Sequence, residues 1–244
     1  MPHSNIFGPP GQWPAQDFIA LSATADSAVV LEAYRSGVFP MPIPHAQWGN
    51  GIAWWSPMRR GILPLDSFRV TRSMRRSARR YVTTVDRRFD DVLDGCADPS
   101  RPNGWIDDTI KQLFTDLNRK GFVHSVETWD DEGRLVGGLY GVSIGGLFAG
   151  ESMFHHPDLG PDASKVALMT LVDVLSDEHA SVRVIDTQWL TPHLASLGAF
   201  EIDRDEYLTL LDELLDVPDA GWGWDDMMTM LSAARSRTPV GAAV

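Results

Sequence analysis

The chain has 244 residues, 43% apolar and 22% charged, values of an ordinary globular protein that exclude a fibrous or disordered one. No stretch approaches the ~18 uninterrupted apolar residues of a membrane span, and MPHSNIFGPPGQWPAQDF lacks the basic start and apolar core of a signal peptide. Cys96 is the single cysteine, which excludes an internal disulfide and a cysteine-rich metal site and makes a reducing cytosol the expected compartment.

The first 25 residues, rich in Pro, Gly and small polar residues, read as irregular structure. A cap at Asp26 or Ser27 opens SAVVLEAYRSG, a short helix ending at Gly37. FPMPIPHAQWGNGIAWWSP (39–57) is too dense in Pro and Gly for regular structure. It predicts a long loop carrying Trp48, Trp54 and Trp55, with a break between units near 57–66. Helices are expected over 71–80, over 87–97 with apolar positions 89, 92, 93 and 96, and over 106–120. In the last, Ile106, Ile110, Leu113, Phe114 and Leu117 form one stripe, stopped by Gly121.

VHSVETW (123–129) alternates as a strand, and 134–154 reads as a hairpin turning at Gly145-Gly146. A helix of period 3.6 over 163–178, a buried strand over 182–186 and a short helix through 191–197 follow, the last ending at Gly198. A final strand or helix covers 200–214, and the tail after about Arg235 reads as frayed. Helices interleaved with strands predict an α/β layer with a mixed sheet.

The net charge of −12 conceals an asymmetry. Residues 59–88 hold ten arginines (59, 60, 69, 72, 75, 76, 79, 80, 87 and 88) and two acids, Asp66 and Asp86. That segment is +8 and the rest of the chain −20. A compact arginine cluster steers polyanions, and its planar forks suit phosphate oxygens. The same pattern also fits a solvated helix face whose arginines pair with the surplus acids.

No P-loop, GxGxxG after a strand, HExxH or GxSxG occurs in the chain. The seven histidines are scattered; only His155 and His156 adjoin, and neighbours on a strand point apart, so no metal site is expected. Cys96, on an apolar helix face, reads as a buried structural thiol. Two short sequences stand out. In GESMF (150–154) an acid, Glu151, directly follows an apolar strand; in VIDTQ (184–188) Asp186 and Gln188 end a buried one. Residues two apart on a strand share a face, so Asp186 and Gln188 could converge on one ligand, or Asp186 could simply cap a helix.

Together these pieces resemble the leucyl/phenylalanyl-tRNA–protein transferase family. The resemblance is carried by AYRSGVFP (33–40), WWSP (54–57), VTRSMRR (70–76), GWI (104–106) and HSVETW (124–129). It continues through LVGGLYGV (135–142), LFAGESMF (147–154), ASKVAL (163–168), VIDTQ (184–188) and HLASLGAFEI (193–202), in collinear order from about residue 18 to 210.

The resemblance implies a cytoplasmic aminoacyltransferase of the bacterial N-end rule. Such enzymes move Leu or Phe, less readily Met, from aminoacyl-tRNA to proteins whose N-terminus is Arg or Lys. It implies an α/β fold with an N-acetyltransferase-like mixed sheet flanked by helices and a small N-terminal domain. The expected division is 1–62, 63–215 and a C-terminal extension, 216–244, partly disordered. No membrane, metal or cofactor is implied, because the aminoacyl ester arrives activated. Asp186 is the expected electrostatic and proton-accepting partner and Gln188 the positioning amide, while Glu151 adds negative potential for the cationic acceptor. Leu139, Phe148, Leu168, Leu175 and Ile185 match the amino-acid pocket, although such stripes also occur in ordinary cores. Arg72, Arg75, Arg76, Arg79 and Arg80 would face tRNA phosphates.

Two departures matter. Family members commonly carry FPW where this chain has Phe39-Pro40-Met41, and that tryptophan helps to hold the 3′-terminal adenosine. Trp105 matches the other adenosine-contacting tryptophan, while Trp54 and Trp55 read as wedges between the domains. LSATAD (21–26) replaces the usual glycine-rich GGDL. A non-catalytic tRNA- or degron-binding relative, and a transferase to a peptidoglycan precursor or lipid, are the competing readings. Retention of Glu151, Asp186 and Gln188 argues against the first, and the acidic site against an anionic lipid acceptor.

Overall fold

Of the two caps the sequence allows, Asp26 is the one used, its carboxylate accepting from the Val29 amide at 2.9 Å. The structure, a computed structural model, describes residues 6–45, 47, 49–101 and 104–223. Trp48 and the tail after Arg235 lie outside the described residues. The elements run β1 (Phe18–Ser22), α1 (Ser27–Arg35), β2 (Phe39–His45), β3 (Gly49–Trp55), β4 (Arg59–Pro64), α2 (Arg72–Ala78), β5 (Val82–Val85), α3 (Phe89–Cys96) and α4 (Asp108–Arg119). There follow β6 (Val123–Trp129), β7 (Leu135–Ile144), β8 (Leu147–His155), α5 (Ala163–Leu175), β9 (Val184–Gln188), α6 (Pro192–Ser196), β10 (Phe200–Asp203) and α7 (Arg204–Leu215).

The expected loop over 39–57 is instead a hairpin. Strands β2 and β3 pair from Phe39↔Trp55 to His45↔Gly49 within a three-stranded sheet ordered β1-β3-β2. Pro40, Pro42 and Pro44 recur every second residue on the edge strand. Period two directs all three missing N–H groups away from the partner, so the ladder loses no bond. Within the stretch 57–66 where a break is expected, the chain passes from the small sheet, which ends at Trp55, to β4 of the larger sheet, which begins at Arg59. The last segment is both a strand and a helix, β10 and α7.

Seven strands form that larger sheet in the order β10-β4-β9-β8-β7-β6-β5. Neighbours are antiparallel except β8 and β9, which run parallel. This is the helix-flanked mixed sheet that the interleaving of helices and strands predicts. One apolar cluster joins α1, α3 and α4 to the sheet through Leu31, Tyr34, Phe89, Leu93, Ile110, Phe114 and Tyr140. A second joins α5 through Leu168, Leu171 and Leu175 to Leu139, Phe148 and Ile185. Helices on both faces bury the strands from both sides, which is why β7 is apolar along nearly its whole length.

Candidate active site

The parallel pairing of β8 and β9 ends at Ala149↔Asp186. Beyond that point each strand carries a bulge against its other neighbour. On β8 the register passes from Gly141↔Gly150 to Tyr140↔Ser152, so Glu151 is the extra residue; on β9 it passes from Ile62↔Asp186 to Gly61↔Gln188, so Thr187 is. Bulges re-aim side chains, and these two sit side by side where the strands part. Gly61 is required at its position. A Cβ there would lie 2.7 Å from the Thr187 hydroxyl and 3.0 Å from the Leu190 nitrogen.

A cavity of about 490 Å³ occupies the parting. Its apolar wall includes Leu139, Phe148, Leu168, Leu171 and Ile185, and Met41, Trp105 and Trp189 line it as well. Of the five residues expected at the amino-acid pocket, Leu139, Phe148, Leu168 and Ile185 line this cavity. Leu175, one turn beyond Leu171, is 2% exposed inside the cluster behind the wall and is core. Trp54 and Trp55 do not line the cavity. The Trp54 indole donates to Ser22 Oγ at 2.9 Å, and Trp55 meets Trp189 edge to face at 5.9 Å, wedging the small sheet against the large one.

Among the described residues, Glu151 is the only acid in the lining. Its Oε1 is buried without a hydrogen-bond partner among the described residues, as are Thr187 Oγ1 and the Tyr34 and Tyr140 hydroxyls. Unpaired buried polar atoms are uncommon, and four around one parting of strands leave a set of acceptors and donors open to a ligand. Burial raises the Glu151 pKa to about 8; Asp186 adds to the rise, while Tyr34, which faces it outside good hydrogen-bonding geometry, and Arg60 oppose it. Glu151 is thus largely protonated at neutral pH. Burial, and then Glu151, push Tyr34 and Tyr140 well above the usual phenol range.

Asp186 does not line the cavity, and it does not converge there with Gln188. Fully buried, it accepts from Arg60 Nε at 2.9 Å and Nη2 at 2.6 Å, from the Tyr207 hydroxyl at 2.9 Å and from the Gln188 amide at 2.9 Å. Gln188 has a left-handed backbone, φ 57°, which takes it out of the strand alternation and into the cavity wall. The Asp186 carboxylate holds that turn. With its amide oriented to satisfy both ends, Gln188 donates to the Gly150 carbonyl at 3.0 Å and that of Thr187 at 3.1 Å, bridging the two strands.

Arg60, counted by sequence within the phosphate-facing cluster, is 1% exposed. Besides Asp186 it donates to the Gly37 carbonyl at 2.9 Å, and it lies over the Tyr207 and Phe39 rings at 4.3 and 5.0 Å. Burial opposes its charge more than any single neighbour favours it, but Asp186, Tyr207 and Tyr34 together outweigh burial and hold it above the ordinary arginine range. Arg59 pairs with Asp203 at 2.6 Å and Arg88 with Asp91 at 2.7 Å. Arg72, Arg75, Arg76 and Arg79 are exposed and form no ion pair among the described residues, while Arg80 reaches the Pro161 carbonyl at 3.3 Å. The cluster is therefore two things: paired or buried at its ends, and solvent-facing on α2. Cys96 is buried, and burial lifts its thiol to about 11, which fits a structural role.

Sequence reasoning missed Arg60 as the partner of Asp186, and Tyr34, Tyr140, Thr187 and Trp189. The aromatic residues carried no signal beyond core patterning. The Thr187 bulge depends on pairing between β4 and β9, strands far apart in the chain.

A mixed sheet that parts over a largely apolar cavity, with one buried acid among the described residues of its lining, is a site that takes an apolar group beside a polar one. Comparison with known proteins gives the family. The profile "Leucyl/phenylalanyl-tRNA protein transferase" matches residues 62–212, and that of its N-terminal domain residues 25–58. The chain belongs to this family and is an aminoacyltransferase that uses tRNA and protein substrates. A leucyl/phenylalanyl-tRNA–protein transferase of Rhizorhabdus wittichii is 47% identical over 196 residues, 79% of this chain and 76% of that one. One of Ruegeria sp. is 47% identical over 197 residues, covering 80% and 89%. One of Maridesulfovibrio salexigens is 40% identical over 227 residues, 91% of each chain. No helix among the described residues is long and apolar enough to cross a membrane.

Proposed function

We propose that the enzyme transfers leucine or phenylalanine, and less readily methionine, from aminoacyl-tRNA to the N-terminal Arg or Lys of acceptor proteins, marking them for N-end-rule degradation in the cytoplasm. One observation carries this reading. The same cavity joins an apolar wall, suited to an uncharged side chain, to a buried acid with an unpartnered oxygen, suited to a cation.

In this reading Leu139, Phe148, Leu168 and Ile185 hold the amino-acid side chain, Trp105 and Met41 face the 3′-terminal adenosine, and Arg72, Arg75, Arg76, Arg79 and Arg80 face phosphates. Glu151, with Tyr34 and Tyr140 nearby, receives the acceptor's α-amine. A free α-amine titrates near ~8 and the Glu151 carboxyl at about 8, so a proton passes between the two groups at little cost. A carboxylate–ammonium pair and its neutral acid–amine form then have similar energies in a dry site. The amine nitrogen attacks the ester carbonyl, forming the C–N bond as the C–O bond to the ribose breaks. Because both groups carry a proton at neutral pH, pairing first releases one to solvent; of the three that remain, one stays on the amide, one leaves with the ribose oxygen and one stays on Glu151.

Asp186 is an orienting group here rather than the proton acceptor, because Arg60, Tyr207 and the Gln188 amide already occupy its carboxylate. Gln188 positions the substrate from the cavity wall. The test is transfer of labelled leucine from Leu-tRNA to an Arg-starting peptide, with an Ala-starting peptide as control. Selective labelling of the first is expected, and equal labelling of both overturns the acceptor assignment.

A further inference from the structure

Beyond α7 the chain turns back across the tip of the β7–β8 hairpin. Two glycines make room for it: Cβ atoms at Gly145 and Gly146 would lie 2.4 Å from the Leu214 carbonyl oxygen and 3.1 Å from the Leu214 side chain. The segment is anchored on both sides of the turn. The Gly145 amide donates to Asp219 Oδ1 at 2.7 Å. Arg183, 1% exposed, donates to the Gly145 carbonyl at 2.7 Å and the Pro218 carbonyl at 3.0 Å, and Asp177 holds its Nε at 2.9 Å. Trp222 is delivered by these anchors onto the sheet. Its indole nitrogen donates to Ser143 Oγ at 3.1 Å, and its ring stacks on His124 at 4.1 Å with planes 3° apart. His124 is itself fixed by Asp86 at 2.6 Å and the Gly121 carbonyl at 3.1 Å.

The same indole meets Phe148 at 5.7 Å between ring centroids, and Phe148 lines the cavity. Phe148 in turn lies over Gly141, where a Cβ would come within 2.5 Å of its ring. Glycine below and indole beside it therefore hold the position of a cavity-wall ring.

We propose that Trp222 is a positioning residue for amino-acid selection, setting the depth of the pocket by backing Phe148. Trp222 lies beyond residues 62–212 matched by the family profile, so nothing in the family motif assigns it. The inference rests on the proposed function, in which Phe148 contacts the transferred side chain. Removing the backing lets the Phe148 ring retreat, which deepens the pocket and favours the longer phenylalanine over leucine.

The experiment measures kcat/KM of the full chain with Leu-tRNA and with Phe-tRNA, at a fixed Arg-starting peptide, for wild type, Trp222→Ala, Trp222→Phe and Asp219→Ala. Trp222→Ala is expected to raise the Phe/Leu ratio by ~5-fold or more, within the discrimination an apolar pocket gains or loses with one methylene. Trp222→Phe keeps a ring against Phe148 and should stay near the wild-type ratio. Asp219→Ala, which loosens the segment but leaves the indole, should move the ratio the same way by less, and it carries the comparison should Trp222→Ala fail to fold. A merely structural residue would lower both rates by one factor. An unchanged ratio in a wild-type-active background overturns the inference alone, whereas a wild-type protein that transfers neither amino acid overturns the proposed function and the inference with it.

Discussion

Arg60 and Asp186, 126 residues apart, meet through two parallel hydrogen bonds of 2.9 and 2.6 Å, with side chains 1% and 0% exposed. The pair ties the first strand of the large sheet to the strand that ends at Gln188. Such a pair contributes little against an apolar replacement, yet leaving one partner alone is costly. Asp186→Asn keeps the side-chain shape but strands the guanidinium, and should lower the unfolding free energy by about 3–5 kcal/mol. Urea unfolding at neutral pH measures it. The same variant should cut transfer by ~10²-fold, because the Gln188 turn loses its charged acceptor. Wild-type stability would show that Arg60 finds another countercharge.

Glu151 gives a pH test with a definite sign. Its folded-state pKa of about 8 lies above the usual 4.5, so between these values the folded protein binds more protons than the unfolded chain. The stability this group contributes is full below about 4.5 and is lost as pH rises through about 8. Glu151→Gln removes the titration. Its melting temperature should gain on wild type as pH is raised across that window and level off above it. A constant difference would mean that Glu151 titrates normally. Transfer by this variant should fall by ~10²-fold at every pH, as expected for loss of a proton relay.

The solvent-facing arginines of α2 predict a salt effect. Charge reversal at Arg72, Arg75 or Arg76 should weaken binding of every aminoacyl-tRNA alike and flatten its salt dependence by about one unit of logarithmic slope per lost phosphate contact. Filter binding over a salt series reads this directly. Normal tRNA binding with early melting would assign these arginines to fold stability instead.

Met41 and Trp105 line one cavity, and only Trp105 is aromatic. Met41→Trp should lower KM for aminoacyl-tRNA by ~5-fold if about 1 kcal/mol of base stacking is restored. Trp105→Ala should cost more than Met41→Ala. The reverse ranking would place the adenosine elsewhere in the cavity, against Phe39 or Trp189.

The sequence by itself determined the helices and the apolar strands, because their signals are local. The 3.6-residue stripe of Ile110, Leu113, Phe114 and Leu117, the Asp26 cap and the Gly145-Gly146 turn each specify structure within a few residues. It also located Glu151, Gln188, Trp105 and four pocket residues, through collinear motifs. It misread 39–57, where the density of proline and glycine masked the period-two placement that an edge strand tolerates. Only the tertiary structure decided which arginines face solvent and which is buried against Asp186, since an ion pair across 126 residues leaves no periodic trace. The tertiary structure likewise decided that Glu151 and Thr187 are bulge residues. Register is a property of two strands, and neither strand contains it alone. The chemistry follows from that register: the bulge brings a carboxyl out of solvent, and burial shifts its proton affinity toward that of an amine.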